Sequence, residues 1–184
     1  IKVRLNKVKE RRAQQRKLRK KTNFKTYALV GYTNAGKSLL FNCLTKKKQS
    51  SKNKMFETLD TKTGRVFLSA NNYVGLIDTV GFINNIPTQL IESFKATLEE
   101  LIFADALINV VDISDYDYRN KEKVTKDILR LANVNENKIR NMITVYNKCD
   151  LNPYMNNIDR INVISAYTGQ GIDKFKTMLW INKI

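Results

Sequence analysis

Short apolar runs alternate with amphipathic stretches from residue 27 onward. The apolar runs have the length of buried strands and lie at 27–30, 106–112, 142–147 and 161–165. Apolar side chains recur at helical spacing in the stretches 37–45, 89–103, 121–131 and 172–181. Strands that alternate with helices predict an α/β fold, in which helices cover both faces of a mostly parallel sheet.

One pair of strands departs from this alternation. Residues 65–68 and 73–78 are separated by the turn-forming pair Asn71-Asn72, which predicts an antiparallel hairpin within the sheet. The preceding stretch, 46–60, is polar and lysine-rich without periodicity, and we expect a loop there.

The charge of the chain is concentrated in two blocks. The formal net charge is +16; residues 1–26 contain twelve basic residues and one acidic residue, and residues 46–54 contain five lysines and no acid. The remainder sums to zero, so a neutral body has two basic attachments. Such blocks either bind a polyanion or stay solvated. Apolar residues at helical spacing predict a basic helix over 1–22 ahead of a globular domain over 23–184.

Composition excludes several kinds of site. The chain has no histidine, which excludes a Ser-His-Asp or Cys-His triad and any zinc site with an imidazole ligand. Two cysteines cannot build a disulfide framework, and they indicate a reducing compartment. No run approaches the roughly 20 apolar residues that span a bilayer.

A glycine-rich motif lies between the first predicted strand and helix. Residues 31–38 read Gly-Tyr-Thr-Asn-Ala-Gly-Lys-Ser and match G-x-x-x-x-G-K-[ST], the phosphate-binding P-loop. Backbone N–H groups of such a loop and of the helix N-terminus face phosphate oxygens. Lys37 is expected to reach the β- and γ-phosphates, and the Ser38 hydroxyl to bind Mg²⁺. The predicted nucleotide-binding residues here are Gly31, Tyr32, Thr33, Asn34, Ala35, Gly36, Lys37, Ser38 and Leu39.

A second motif, Asp78-Thr79-Val80-Gly81, follows the hairpin. An acid at the carboxyl end of a strand can hold Mg²⁺, commonly through water. Gly81 can turn its N–H group toward a γ-phosphate without a side chain in the way. The motif is weak alone and gains weight from its place after a P-loop.

A third motif indicates which base is bound. Asn147-Lys148-Cys149-Asp150 ends the strand predicted at 142–147. The Asp150 carboxylate can accept hydrogen bonds from guanine N1–H and the 2-amino group, whereas adenine offers no such donor pair and would leave the carboxylate unpaired. We expect Asn147 and Lys148 to brace the neighbouring loop and flank the base. Ser165, Ala166 and Tyr167 would complete the pocket, with the N–H of Ala166 facing guanine O6. A P-loop ATPase is disfavoured.

These motifs, in this order, resemble the translation-factor type of P-loop GTPase. The sequence between them narrows the resemblance to the HflX family of ribosome-associated GTPases, over about residues 1–181. It is carried by residues 31–38, Leu40-Phe41-Asn42, Glu57-Thr58-Leu59-Asp60, residues 78–83 and Thr97-Leu98-Glu99-Glu100. The family implies GTP/GDP and Mg²⁺ as ligands, hydrolysis of GTP to GDP and phosphate, and an N-terminal domain of which residues 1–22 would be the tail.

Two segments depart from the family pattern. The family has threonine at the position of Leu39, and its segment Ala-Thr-Leu-Asp-Pro-Thr-Thr-Arg has lost its proline and gained a glycine in residues 57–65. Alignment selects Thr58 as the Mg²⁺ ligand. Thr61 and Thr63 are alternatives, and each of the three could instead be an ordinary strand-edge threonine.

The resemblance also bears on catalysis, for which Lys37, Gly81 and Asn34 are the candidates. Many relatives place a water-orienting glutamine after the second motif, where this chain has Phe82. We therefore expect slow intrinsic hydrolysis. In several GTPases with a hydrophobic residue there, the P-loop asparagine binds K⁺; Asn34 would do so here, or would hydrogen-bond within its loop.

The expected partners are the large ribosomal subunit and ribosomal RNA, to which the family binds when it splits or rescues stalled ribosomes. The basic blocks would neutralise RNA phosphates, and base stacking looks minor because Phe24 is their only aromatic residue. We expect a monomer without a membrane partner, in a bacterial-type cytosol or an organelle stroma. The alternatives are a GTP-gated RNA-binding module and another GTPase of ribosome assembly or tRNA modification.

Overall fold

Five strands form one sheet within the part of the chain that the computed structural model describes, residues 25–46, 62–69, 72–79, 81–82, 101–151 and 162–181. The strands are β1 (Thr26–Val30), β2 (Lys62–Ser69), β3 (Asn72–Asp78), β4 (Ala106–Asp112) and β5 (Ile143–Asn147). Their order is β2-β3-β1-β4-β5, and every neighbouring pair is parallel except β2 and β3. The predicted α/β fold, with a mostly parallel sheet and one antiparallel hairpin, is confirmed.

Helices follow the strands as the apolar spacing predicts. The described helices are α1 (Lys37–Thr45), α2 (Tyr118–Leu131), α3 (Glu136–Arg140) and α4 (Ile172–Ile181), with a short 3-10 turn at Cys149–Leu151. Residues 101–103 are also helical and lie within the stretch predicted at 89–103. None of the described helices has both the length and the apolar character needed to cross a membrane.

The core lies on both faces of the sheet because successive side chains of a strand point to opposite faces. On β4, Ile108 and Val110 enter the first core, which α1 and α4 cover, and Leu107 enters the second core, which α2 and α3 cover. β1, β3 and β4 carry almost uninterrupted apolar residues, as strands buried on both faces require. The sheet is therefore covered by helices on both faces.

Parallel pairing brings the strand ends that matter for function to one edge. Leu29 of β1 pairs with Asp78 of β3, and Asp112 of β4 pairs with Asn147 of β5. The loops that leave the carboxyl ends of parallel strands meet at this edge, where α/β proteins bind their ligands. All three predicted motifs follow strands that end there.

Some sequence expectations need correction. The predicted strand 161–165 forms only a single parallel bridge, Val163 with Tyr146, over described residues 162–165, because Ser165 and Ala166 divert their backbone N–H groups to Gln170 and to a side chain. α2 begins three residues before the predicted start, and α3 was not predicted. The basic helix 1–22, Lys47 to Lys54, Thr58, Thr61, the Asn71 side of the turn and residues 97–100 lie outside the described residues.

Candidate functional site

The P-loop joins β1 to α1 and is pressed against the sheet edge. A Cβ atom at Gly31 would lie 2.3 Å from the carbonyl oxygen of Val110, and one at Gly36 would lie 2.2 Å from Nδ2 of Asn147. Both glycines also have positive φ, 141° and 92°. Gly36 is the N-cap residue of α1 and has no side chain with which to cap the first N–H groups of the helix. The loop is thus shaped to approach an anion with its backbone.

Lys37 places its ammonium group inside the curve of the P-loop. The side chain is 6% exposed, and Nζ donates to the carbonyl oxygens of Gly31 at 3.0 Å and Tyr32 at 2.8 Å. Burial lowers the pKa of Lys37 to about 8, while the negative charge of Asp78 opposes that shift. A positive charge held in a dry loop interacts more strongly with a bound phosphate than it would in water.

The segment after β3 packs directly against the P-loop. The N–H of Thr33 donates to the Phe82 carbonyl at 2.8 Å, and the N–H of Phe82 donates to the Gly31 carbonyl at 3.1 Å. A Cβ atom at Gly81 would lie 2.8 Å from Cα of Thr33 and 2.9 Å from Nζ of Lys37. Only glycine fits this approach, which brings the backbone of residue 81 beside the lysine.

Phe82 turns its side chain into the second core, where it is 2% exposed. The ring therefore cannot order a water molecule at the phosphates, in line with the expectation from its chemistry. Its role here is to anchor the segment that follows Asp78.

Asn147 connects two loops at the edge of the sheet. Its Nδ2 atom donates to the carbonyl of Ala35 at 2.9 Å, and its Oδ1 atom accepts from the N–H of Ala166 at 2.9 Å. The side chain is 1% exposed, so both hydrogen bonds are shielded from water. The N–H of Ala166 thus has Asn147 as an acceptor in this structure, and the contact of this N–H with guanine O6 stays a prediction.

Asp150 has an acceptor atom that the described residues leave unused. Its Oδ1 atom is buried and has no hydrogen-bond partner among them. A buried polar atom without a partner costs about 1–3 kcal/mol, so a ligand that supplies a donor is favoured. Guanine supplies two donors on one edge, and its contact with Asp150 stays a prediction that this unused atom supports.

Lys148 is held by a residue that sequence reasoning missed. Its Nζ atom lies 2.6 Å from Oδ2 of Asp112, and both side chains are about four-fifths buried, at 23% and 17% exposure. The other carboxylate oxygen of Asp112 accepts from the N–H and the hydroxyl of Ser114, at 3.0 and 2.6 Å. Lys148 also has a φ of 65°, so its side chain leaves an unusual backbone conformation. The position of Asp112 at the end of β4 was the available signal.

The described oxygen ligands fit a magnesium ion held mainly through phosphate and water. Asp78 is wholly buried at the end of β3, and Ser38 lies in the first turn of α1. Carboxylate and hydroxyl oxygens are hard ligands of the kind Mg²⁺ takes one or two at a time in nucleotide sites. Thr63 lies on β2 opposite Ile77. Within the described ranges, no three acidic, cysteine or histidine side chains gather as a metal cluster.

The other predicted residues differ in how they contribute. Asn34 is exposed with a φ of 61°, and the side chain of Leu39 packs against the first core. Ser165 is wholly buried and accepts from the N–H of Thr168, whereas Tyr167 is 81% exposed. Asn109, in the middle of β4, was not predicted; it is wholly buried beside the P-loop, and its amide has no partner among the described residues.

The ion pair of Lys148 and Asp112 predicts a measurable coupling in nucleotide binding. Asp112→Ala should weaken GDP binding about fivefold, because contacting residues typically couple by about 1 kcal/mol and Lys148 loses its orientation. The double variant with Lys148→Met should bind no worse than Lys148→Met alone, measured by calorimetric titration. Glu136→Ala, which breaks an exposed ion pair with Arg130, is the control. Additive losses would show that Asp112 and Lys148 act on binding independently, which would contradict the predicted coupling.

Comparison with known proteins places the fold and motifs in a family. The family described as "50S ribosome-binding GTPase" matches residues 26–148. A solved GTP-binding protein from Sulfolobus solfataricus in complex with GDP is 26% identical and superimposes with a TM-score of 0.65, covering 99% of this chain and 60% of that one.

Curated relatives carry the name GTPase HflX. The relative from Magnetococcus marinus is 41% identical over 180 residues, covering 94% of this chain and 41% of that protein. The relative from Caldanaerobacter subterraneus is 41% identical over 177 residues, covering 95% and 40%. The chain therefore spans about two fifths of the length of these relatives. The chain belongs to the 50S ribosome-binding GTPase family, and the HflX GTPases are its relatives within it.

Proposed function

We propose that this chain binds GTP and hydrolyses it to GDP and phosphate. The observation that carries the proposal is the buried, unpartnered Oδ1 atom of Asp150 on the same sheet edge as the P-loop. Guanine would donate its N1–H and a 2-amino N–H to the two oxygens of the Asp150 carboxylate and so supply a donor to Oδ1, whereas adenine offers no such donor pair. The same edge supplies backbone donors for phosphates, so both ends of a guanine nucleotide meet suitable partners.

The phosphates and a magnesium ion have separate partners in this proposal. N–H groups of the P-loop and of the first turn of α1 bind phosphate oxygens, and Lys37 neutralises charge on the β- and γ-phosphates. Ser38 and Thr58 would bind Mg²⁺ directly, and Asp78 would bind it through water. Bound Mg²⁺ stabilises the charge that develops on the phosphate oxygens. Gly81 would donate its N–H to the γ-phosphate.

Hydrolysis by the chain alone should be slow. The position that could orient the attacking water is Phe82, whose ring is buried in the core. Positioning of that water then falls to backbone groups or to groups that a partner supplies. The exposed Asn34, held at positive φ in the P-loop, is proposed to bind a K⁺ ion that adds positive charge between the phosphates.

The proposed partner is the large ribosomal subunit, and the proposed task is splitting or rescue of stalled ribosomes. The support is the family description, the HflX relatives and the two basic blocks of the sequence, which suit RNA phosphates. Residues 1–22 would form a basic helical segment ahead of the GTPase domain at 23–184. The compartment would be one that holds bacterial-type ribosomes.

Base selectivity tests the role of Asp150. Asp150→Asn should weaken GDP binding by about a hundredfold or more and improve binding of xanthosine diphosphate, because an amide N–H can donate to the xanthine C2 carbonyl. Fluorescence or calorimetric titration with both nucleotides measures this. Asp173→Asn, at a wholly exposed carboxylate of α4, is the matched control. Unchanged selectivity in Asp150→Asn would remove Asp150 from the base site.

Exchange of the monovalent salt tests the role of Asn34. The GTP hydrolysis rate should be several-fold higher in potassium than in sodium buffer, and Asn34→Ala should remove the difference while GDP binding persists. The added positive charge acts on the transition state, so the rate responds more than the affinity. Equal wild-type rates in the two salts would contradict K⁺ binding.

Stimulation by ribosomes tests the partner. The protein should release phosphate from GTP much faster when large ribosomal subunits are present. The complex would order a group that positions the attacking water, a role that the side chain of Phe82 cannot fill. Small subunits at the same concentration are the control. GTP binding without stimulation would favour the binding-only RNA module over the ribosome-dependent GTPase.

A further inference from the structure

Two aromatic rings are exposed side by side on the β2–β3 hairpin. Phe67 is 66% exposed and pairs across the antiparallel register with Tyr73, which is 36% exposed. Their ring centroids are 6.1 Å apart with planes at 55°. The guanidinium carbon of Arg65 lies 5.4 Å from the centroid of the Tyr73 ring. We call Arg65, Phe67 and Tyr73 the hairpin patch.

Packing of the core does not account for these rings. Along β2, Val66 and Leu68 face the first core, and Arg65 and Phe67 alternate with them onto the opposite face. β2 is also an edge strand of the described sheet. Phe67 is on this edge strand, and an exposed apolar side chain there is a liability unless it meets a partner.

The charge around the patch favours a polyanion. Residues 63–77 include Arg65 and no acidic residue. Lys62 lies opposite Asp78 at the far end of the hairpin and does not contribute to the charge of the patch. A guanidinium plane beside exposed aromatic rings is the combination on which unpaired bases stack, and the nearby positive charge neutralises their phosphates.

We propose that the hairpin patch binds single-stranded RNA, with an unpaired base stacked on Phe67 beside the Arg65–Tyr73 pair. This RNA site deepens the proposed function, and the identification of the RNA as ribosomal rests on that function. The expectation of little base stacking concerned the basic blocks, and the patch lies outside both of them. RNA is favoured over a protein partner because the aromatic faces lie beside a guanidinium group and residues 63–77 contain no acid.

The patch is separate from the nucleotide site. Lys62 pairs with Asp78 at the site end of the hairpin, and Phe67 lies five residues further along β2. At about 3.3 Å per residue, this places Phe67 roughly 17 Å from Asp78. Substitutions in the patch should therefore leave GDP affinity unchanged, which also checks that the variants fold.

The test measures the affinity of the whole chain for two short RNAs, by fluorescence anisotropy at moderate salt. One is an unstructured oligomer of adenosine and cytidine, and the other has the same phosphates but lacks the bases. Phe67→Leu should bind the first about fivefold more weakly, since loss of one base stack is worth at least that factor, and should bind the abasic RNA like the wild type. Arg65→Gln should weaken binding of both RNAs.

Tyr116→Leu is the matched control, because Tyr116 is a fully exposed aromatic residue elsewhere on the surface. This variant should bind both RNAs like the wild type. The proposal is overturned if Phe67→Leu binds the base-bearing RNA like the wild type, loses both RNAs equally, or loses no more than Tyr116→Leu. The proposal would also be overturned if Phe67→Leu kept its affinity for both RNAs and lost affinity for a ribosomal protein. If the chain fails to bind GDP but its variants show the expected pattern of RNA binding, the RNA site is supported and the proposed function is contradicted.

Discussion

The side chain of Asn147 holds together loops that come from three distant parts of the chain. Its two amide atoms reach Ala35, 112 residues away, and Ala166, 19 residues away. Both contacts are buried, so neither competes with water, and loss of either partner would leave a polar group unpaired at a cost of about 1–3 kcal/mol. The phosphate end and the base end of the site therefore keep a fixed separation.

Close packing around this side chain explains the glycines of the P-loop. Gly36 must lack a Cβ because Asn147 occupies that space, and Gly31 must lack one because the β4 backbone does. The loop gains a curve narrow enough to enclose the Lys37 ammonium, whose lowered pKa reports the burial. A fixed cation and fixed N–H groups stabilise a phosphate without reorganising when it binds.

The strand and helix order was predictable because most of the core is apolar and regularly spaced. The predicted bounds of α1, β4 and α4 agree with the structure, since their apolar residues recur with the period of the element. The start of α2 was missed because Tyr118, Arg119 and Asn120 show no apolar period. The strand expected at 161–165 is reduced to one parallel bridge over its described residues, because hydrogen bonds to Asn147 and Gln170 override local β propensity.

The site was predictable where a motif fixes both residue type and spacing. The P-loop and the Asn147–Asp150 motif come together at one edge because parallel strands carry them there. Asp112 and the hairpin patch were missed because their partners are set by strand register, which single positions in a sequence do not reveal. The role of Thr58 stays a prediction.

Direct titration of this chain with GDP and with ADP, in the presence of Mg²⁺, tests the central claim that the edge of the sheet is a guanine-nucleotide site. The account predicts that GDP binds at least about a hundredfold more tightly than ADP, because only guanine supplies donors to Asp150. Equal affinities, or no binding of GDP, would contradict it.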